Sequence, residues 1–130
     1  MLEVARRNVT RLGLEPYVTV TQRDSAAGFD QHDADAVFLD VREPWNYLPQ
    51  VHAALKGGGF FGALVPTTNQ VTELLEGLAH NAFGFVQVDE LLLRSYKAVA
   101  ARLRPMDRMV AHTGYLIFAR ALLLEEPEAP

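Results

Sequence analysis

Two rhythms of apolar and polar residues run along the chain. Leu2, Ala5, Val9 and Leu12 recur near the helical repeat, with Arg6, Arg7 and Arg11 off the stripe. This predicts a helix over residues 1–12, stopped at Gly13. Residues 17–22 alternate, Tyr-Val-Thr-Val-Thr-Gln, which predicts a strand. Residues 36–39 are unbroken apolar, as suits a strand covered on both faces. Pro44 suits a helix start, and the predicted helix over 45–55 ends at Lys56-Gly57-Gly58-Gly59, read as a helix stop and tight turn. A third strand over 60–65 stops at Pro66, and Thr68 is placed to cap a helix over 69–79. Residues 83–88 read as a fourth strand, 90–99 fit either strand or helix, 105–108 are polar loop and 114–121 are a last strand. The acidic, Pro-containing end at 125–130 reads as a frayed tail, leaving residues 1–124 as the folded part.

Strand alternating with helix predicts an α/β fold with a parallel sheet. The last two strands lack a clear helix between them and should form an antiparallel pair at one edge. The expected chemistry lies at the strand ends, because ligands of open α/β sheets bind beyond the carboxyl ends of the strands. Asp40 stands at such an end, after Val37-Phe38-Leu39. Its residue type leaves two roles open, a functional carboxylate or a cap on the helix after Pro44. Asp24, after the 17–22 strand, is similarly a functional acceptor or a turn-former. Trp45 is either pocket wall or core, and Gln70 is read as helix surface. Arg94, Lys97, Arg102, Arg104 and Arg108, with Tyr96 among them, form a basic stretch that suits either nucleic-acid phosphates or a plain solvated face.

Composition narrows the field. The 130 residues are 49% hydrophobic, enough for one domain with a core. A net charge of −4 provides no global field for nucleic acid, so any such contact must be local. The absence of cysteine excludes disulfides and thiolate metal sites, and a cytosolic (cytoplasmic) setting is the default. The four histidines are scattered, so no metal site is expected. No stretch is long enough to span a membrane. No G-x-G-x-x-G occurs, and Gly57-Gly58-Gly59 precedes a strand rather than following one.

Taken together, Asp24, Val37-Phe38-Leu39-Asp40, Pro44-Trp45, Leu55 to Phe60, Pro66 with Gln70-Val71, Glu90, Arg94, Arg104-Pro105 and His112-Thr113-Gly114 resemble one family. The sequence resembles the S-adenosylmethionine-dependent tRNA (adenine-58-N1) methyltransferases over nearly its whole length short of the tail. The resemblance implies a Rossmann-like class I methyltransferase sheet, of usual order 3-2-1-4-5-7-6, entered after its first two strands. Such a truncated sheet, with an antiparallel last strand pair, leaves backbone edges open to another chain. By the same resemblance, Asp24 and Ser25 contact the adenine of S-adenosylmethionine. Asp40 is the catalytic aspartate and a further cofactor-binding residue, and Trp45, Arg94, Arg104 and His112 lie on the substrate side. The implied partners are tRNA and further copies of the chain, since the family builds tetramers. A non-catalytic assembly or tRNA-binding module of the same fold is the alternative reading.

Overall fold

The computed structural model describes residues 2–107 and 114–123. Its centre is a four-stranded mixed sheet in the order β1-β2-β6-β3. β1 (Ala34–Leu39) runs parallel to β2 (Leu55–Val65). β6 (Tyr115–Ala121) lies between β2 and β3 (Phe83–Glu90), antiparallel to both. This is the 4-5-7-6 end of the order the resemblance implies, including the antiparallel last pair. The crossovers explain the directions. α2 (Leu48–Ala54) and α3 (Thr68–His80) each return the chain to the same end of the sheet, so β1, β2 and β3 run alike. β6 arrives without a crossover helix among the described residues and runs the other way.

One sheet face carries the core. Leu39 of β1, Phe61, Ala63 and Val65 of β2 and Ile117, Ala119 and Ala121 of β6 are buried against Leu48 and Val51 of α2 and Leu74 and Leu78 of α3. Alternate residues of these strands point away from that layer, so a two-residue side-chain period separates a core face from an uncovered one. On the uncovered face Phe38 is 71% exposed, while Phe61 on the core face is fully buried. Gly77 lets α3 approach the second crossover: a Cβ there would lie 2.9 Å from Leu48 Cδ1 and 3.2 Å from the Cβ of Trp45.

Several elements differ from the sequence reading. Residues 17–22 form no strand; they pair with none of the described residues, and β1 keeps an open edge. Alternation makes a segment competent to pair, but a strand needs a neighbour's backbone to form. α1 (Leu2–Arg11) forms as read, yet it buries no residue. The predicted helix over 45–55 opens instead as a 3-10 turn, Pro44–Tyr47, before α2, because prolines stand at the start of both pieces. The glycine run is not a helix stop: the helix ends at Ala54 and β2 begins at Leu55. Ala34 pairs with Leu55 and Ala36 with Phe60, so residues 56–59 bulge out of β2. Gly58, at φ +77°, supplies the left-handed residue the bulge needs. The ambiguous segment 90–99 is neither strand nor helix throughout. β3 ends at Glu90, and a small hairpin, β4 (Tyr96–Lys97) with β5 (Arg104–Pro105), takes up the rest of that arm.

Candidate functional site

The carboxyl edge of the sheet is assembled by topology. β1 ends at Leu39, so Asp40 is the first residue beyond it. β2 ends at Val65 opposite Tyr115, and β3 ends at Glu90 opposite the same Tyr115. Antiparallel insertion of β6 therefore brings its first residues to the edge where β1, β2 and β3 finish. His112 lies outside the described residues; Gly114, two positions on, adjoins this edge.

Asp40 is exposed, and its carboxylate makes no hydrogen bond or ion pair among the described residues. It does not cap the following turn. Glu43 holds the cap position of that turn and makes no side-chain cap bond, and Tyr47 precedes α2 in the same way. Beneath Asp40, on the uncovered sheet face, Phe38, Gly62, Leu64, Leu116 and Phe118 line a hollow of about 260 Å³. An apolar wall with a single acceptor at its rim suits a flat, largely apolar group that carries a hydrogen-bond donor. A larger hollow of about 520 Å³ lies at the opposite end of the sheet, against Gly58, Phe85 and Arg120, away from these carboxylates.

Asp24 does act as a turn-former. Its Oδ1 accepts from the Ala26 backbone N–H at 2.9 Å and caps the 3-10 turn Ser25–Ala27. Capping occupies one carboxylate oxygen and leaves the other available. This turn lies against α2 and against Pro44–Tyr47, where Gln50 Nε2 donates to the Ala26 carbonyl at 3.3 Å. The loop bearing Asp24 and Ser25 is thus tied to the crossover that follows Asp40.

Trp45 is half-buried and packs against the core cluster, beside Gly77 of α3. In this conformation its ring belongs to the helix layer. Arg94 is exposed just beyond the end of β3, and Arg104 is exposed on the hairpin, paired in register with Lys97. Lys97 is engaged by Asp107 in an ion pair. Arg94, Arg102 and Arg104 make no ion pair among the described residues, so they remain open to anionic partners. The basic arm leaves the sheet at the same edge as Asp40.

Sequence reasoning missed the clamp on the Asp40 loop. The cap of α3 is Thr67, not Thr68, and its hydroxyl accepts from Gln70 N–H at 3.4 Å. Thr67 Oγ1 in turn donates to Gln70 Oε1 at 2.9 Å, and Gln70 Nε2 donates to the Arg42 carbonyl at 3.0 Å. Thr67-Thr68-Asn69-Gln70 has the capping-box spacing, a signal legible in the sequence. Its reach across to Arg42 is not legible there. Among the described residues no group of three or more His, Asp or Glu side chains is placed to hold a metal. No helix among them is long and apolar enough to cross a membrane.

The family model described as "tRNA methyltransferase complex GCD14 subunit" matches residues 1–104. A tRNA (adenine(57)-N(1)/adenine(58)-N(1))-methyltransferase TrmI from Methanocaldococcus jannaschii is 33% identical over 92 residues, 70% of this chain and 33% of that protein. The crystal structure of tRNA (m1A58) methyltransferase TrmI from Aquifex aeolicus superposes with a TM-score of 0.82 at 42% identity, covering 95% of this chain and 50% of that one. A SAM-dependent O-methyltransferase from Thermotoga maritima matches with a TM-score of 0.89 at 50% identity, covering 97% of this chain and 48% of that one. The chain thus spans about a third of this curated relative and about half of these solved structures. A model match across most of the chain, joined to the 4-5-7-6 strand order, establishes that this protein belongs to the GCD14 family of tRNA methyltransferases.

Proposed function

We propose that the chain acts in methyl transfer from S-adenosylmethionine to N1 of an adenine in the tRNA T-loop, with Asp40 as its catalytic carboxylate. The observation that carries this reading is the Asp40 carboxylate, unpaired among the described residues, at the carboxyl edge of the sheet and at the rim of an apolar hollow. N1 of adenine already bears a lone pair, so attack on the sulfonium methyl needs placement more than a strong base. A carboxylate that accepts from the exocyclic amine orients the ring. It also stabilises the positive charge that develops as the N–CH3 bond forms. Asp24, with one oxygen left open by its cap, and Ser25 beside it are assigned to the adenine of S-adenosylmethionine. The residues present fit that cofactor in chemical type: a carboxylate acceptor for an amine, held on a turn that Gln50 fixes. Arg94 and Arg104 are assigned to the tRNA phosphates and His112 to the substrate side, while Trp45 packs in the helix layer that carries the Asp40 loop.

The second reading is an assembly module of the same fold, in which further copies or a related chain supply the rest of a site. The open edge of β1 and the uncovered sheet face favour it. The two readings separate by calorimetric titration of S-adenosylmethionine into the purified chain. One-to-one binding that Asp24→Ala weakens supports the enzyme reading. Absence of heat together with self-association in sedimentation supports the module and overturns the first reading.

A further inference from the structure

We infer that Gln70 is a positioning residue for Asp40, acting through the loop at residues 40–43. This rests on the reading of Asp40 given above. The loop has no regular structure between the end of β1 and the 3-10 turn at Pro44. A catalytic group on such a segment needs support, because orientation is lost when the loop can move. Among the described residues, one side-chain hydrogen bond reaches residues 40–43 from outside the loop and its own following turn. That bond is from Gln70 Nε2 to the carbonyl of Arg42, 3.0 Å, across 28 residues of sequence.

The donor is itself held in place. Gln70 is half-buried at the third position of α3. Its Oε1 accepts from the Thr67 hydroxyl at 2.9 Å, and its backbone N–H donates to the same oxygen at 3.4 Å. A carbonyl can only accept, so the bond to Arg42 fixes which amide atom faces the loop, and the hydroxyl satisfies the other. Both sides of the amide are thereby used, and the side chain has a single matched orientation. α3 is anchored in the core by Leu74 and Leu78. A rigid helix, a clamped amide and a carbonyl two residues from Asp40 form one mechanical path.

This assignment goes beyond helix capping, and the two roles are separable. Thr67→Ala removes the cap and the hydroxyl but leaves the Gln70 amide able to reach Arg42. Gln70→Ala removes the reach. Gln70→Lys restores a donor of similar length without the acceptor for Thr67. The test uses the full chain with S-adenosylmethionine and unmodified tRNA, alongside NMR backbone relaxation of the loop at residues 40–43. Gln70→Ala should lower kcat by about 10- to 100-fold, the scale of a modest misplacement of reacting groups. KM for tRNA and the Kd for S-adenosylmethionine should stay within about twofold, the split that lost orientation produces. Gln70→Lys should recover a substantial part of kcat, and Thr67→Ala, which loosens the amide but keeps its reach to Arg42, should lose several-fold less than Gln70→Ala. Backbone order parameters at residues 40–43 should fall from the rigid range, about 0.85, toward about 0.6 in Gln70→Ala, and fall less in Thr67→Ala.

Equal kcat losses in Gln70→Ala and Thr67→Ala, or no rescue by lysine, would overturn the inference and leave Gln70 a capping residue. If the parent chain transfers no methyl group, the reading of Asp40 fails. The relaxation measurement then still decides whether Gln70 restrains the loop, and unchanged order parameters in Gln70→Ala would overturn that as well.

Discussion

The two faces of the central sheet are built from the same strands and behave differently. On one face Phe61, Val65 and Ile117 are fully buried beneath α2 and α3. On the other, Phe38 and Phe60, carried by the same β1–β2 pair, are largely exposed, 71% and 49%. Residue type does not distinguish them, since phenylalanine occurs on both. What differs is the layer above each face: the crossovers of β1–β2 and β2–β3 fall on one side, and the described residues supply nothing comparable on the other. Stability therefore resides on the helix-covered face. The hollow beneath Asp40 opens on the uncovered one. An aromatic side chain contributes only what its neighbours remove from water.

The largest effect that can break this comparison is at Phe61. Phe61→Ala should destabilise the chain by about 3–5 kcal/mol through lost burial and a cavity, whereas Phe38→Ala should cost well under 1 kcal/mol. Chemical denaturation of the two variants reads the difference directly. Equal losses would mean that the Phe38 face is covered in solution.

Two glycines sharpen the same contrast. At Gly77, on the covered side, a new Cβ meets Leu48 and the Cβ of Trp45 in a packed layer. Overpacking of about 1–3 kcal/mol outweighs the roughly 1 kcal/mol gained in helix propensity, so Gly77→Ala should destabilise by about 1 kcal/mol. At Gly62, on the uncovered side, the new Cβ meets the ring of Phe38, which has open space to swing away. Gly62→Ala should therefore leave the melting midpoint nearly unchanged. Thr67→Ala, which removes the cap of α3, should cost about 1 kcal/mol in thermal or denaturant unfolding.

The smallest expected effect is at Asp35. The hydrogen bond and charge of Lys56 lower its carboxyl below the ordinary value of 3.8. A carboxyl lowered in the folded state favours folding at pH above its unfolded value, and loses that contribution as pH falls through its folded value. Both partners are exposed, so Asp35→Asn should leave the melting temperature at neutral pH nearly unchanged. Whatever small difference there is from the parent should be present at neutral pH and vanish as pH falls below about 4.

Much of the fold is legible in the sequence because it is local or periodic. The apolar runs at 36–39, 60–65, 83–88 and 115–121 all lie in strands, and the two later ones pair antiparallel, as the lack of a clear helix between them suggests. The reading failed where structure depends on a neighbour. Residues 17–22 have the alternation of a strand and no strand partner among the described residues. The three glycines look like a helix stop but form a bulge, because the pairing of Ala34 with Leu55 draws Lys56 and the glycines into β2. At the site, Asp40 is visible from its position after an apolar run. The local role of Asp24 as a cap is equally visible as a turn signal. The Gln70 clamp joins residues 28 positions apart and becomes apparent only when α3 is seated beside the end of β1.

The central claim is that Asp40 acts chiefly by orienting the target adenine. The most direct measurement compares the parent chain with Asp40→Asn for methyl transfer to unmodified tRNA, with S-adenosylmethionine affinity measured in parallel. The account predicts N1-methyladenine in the T-loop for the parent. For Asp40→Asn it predicts a turnover loss of about 100-fold or more, with cofactor affinity within a few-fold. Equal losses of turnover and affinity, or no methylated adenine from the parent, would contradict it.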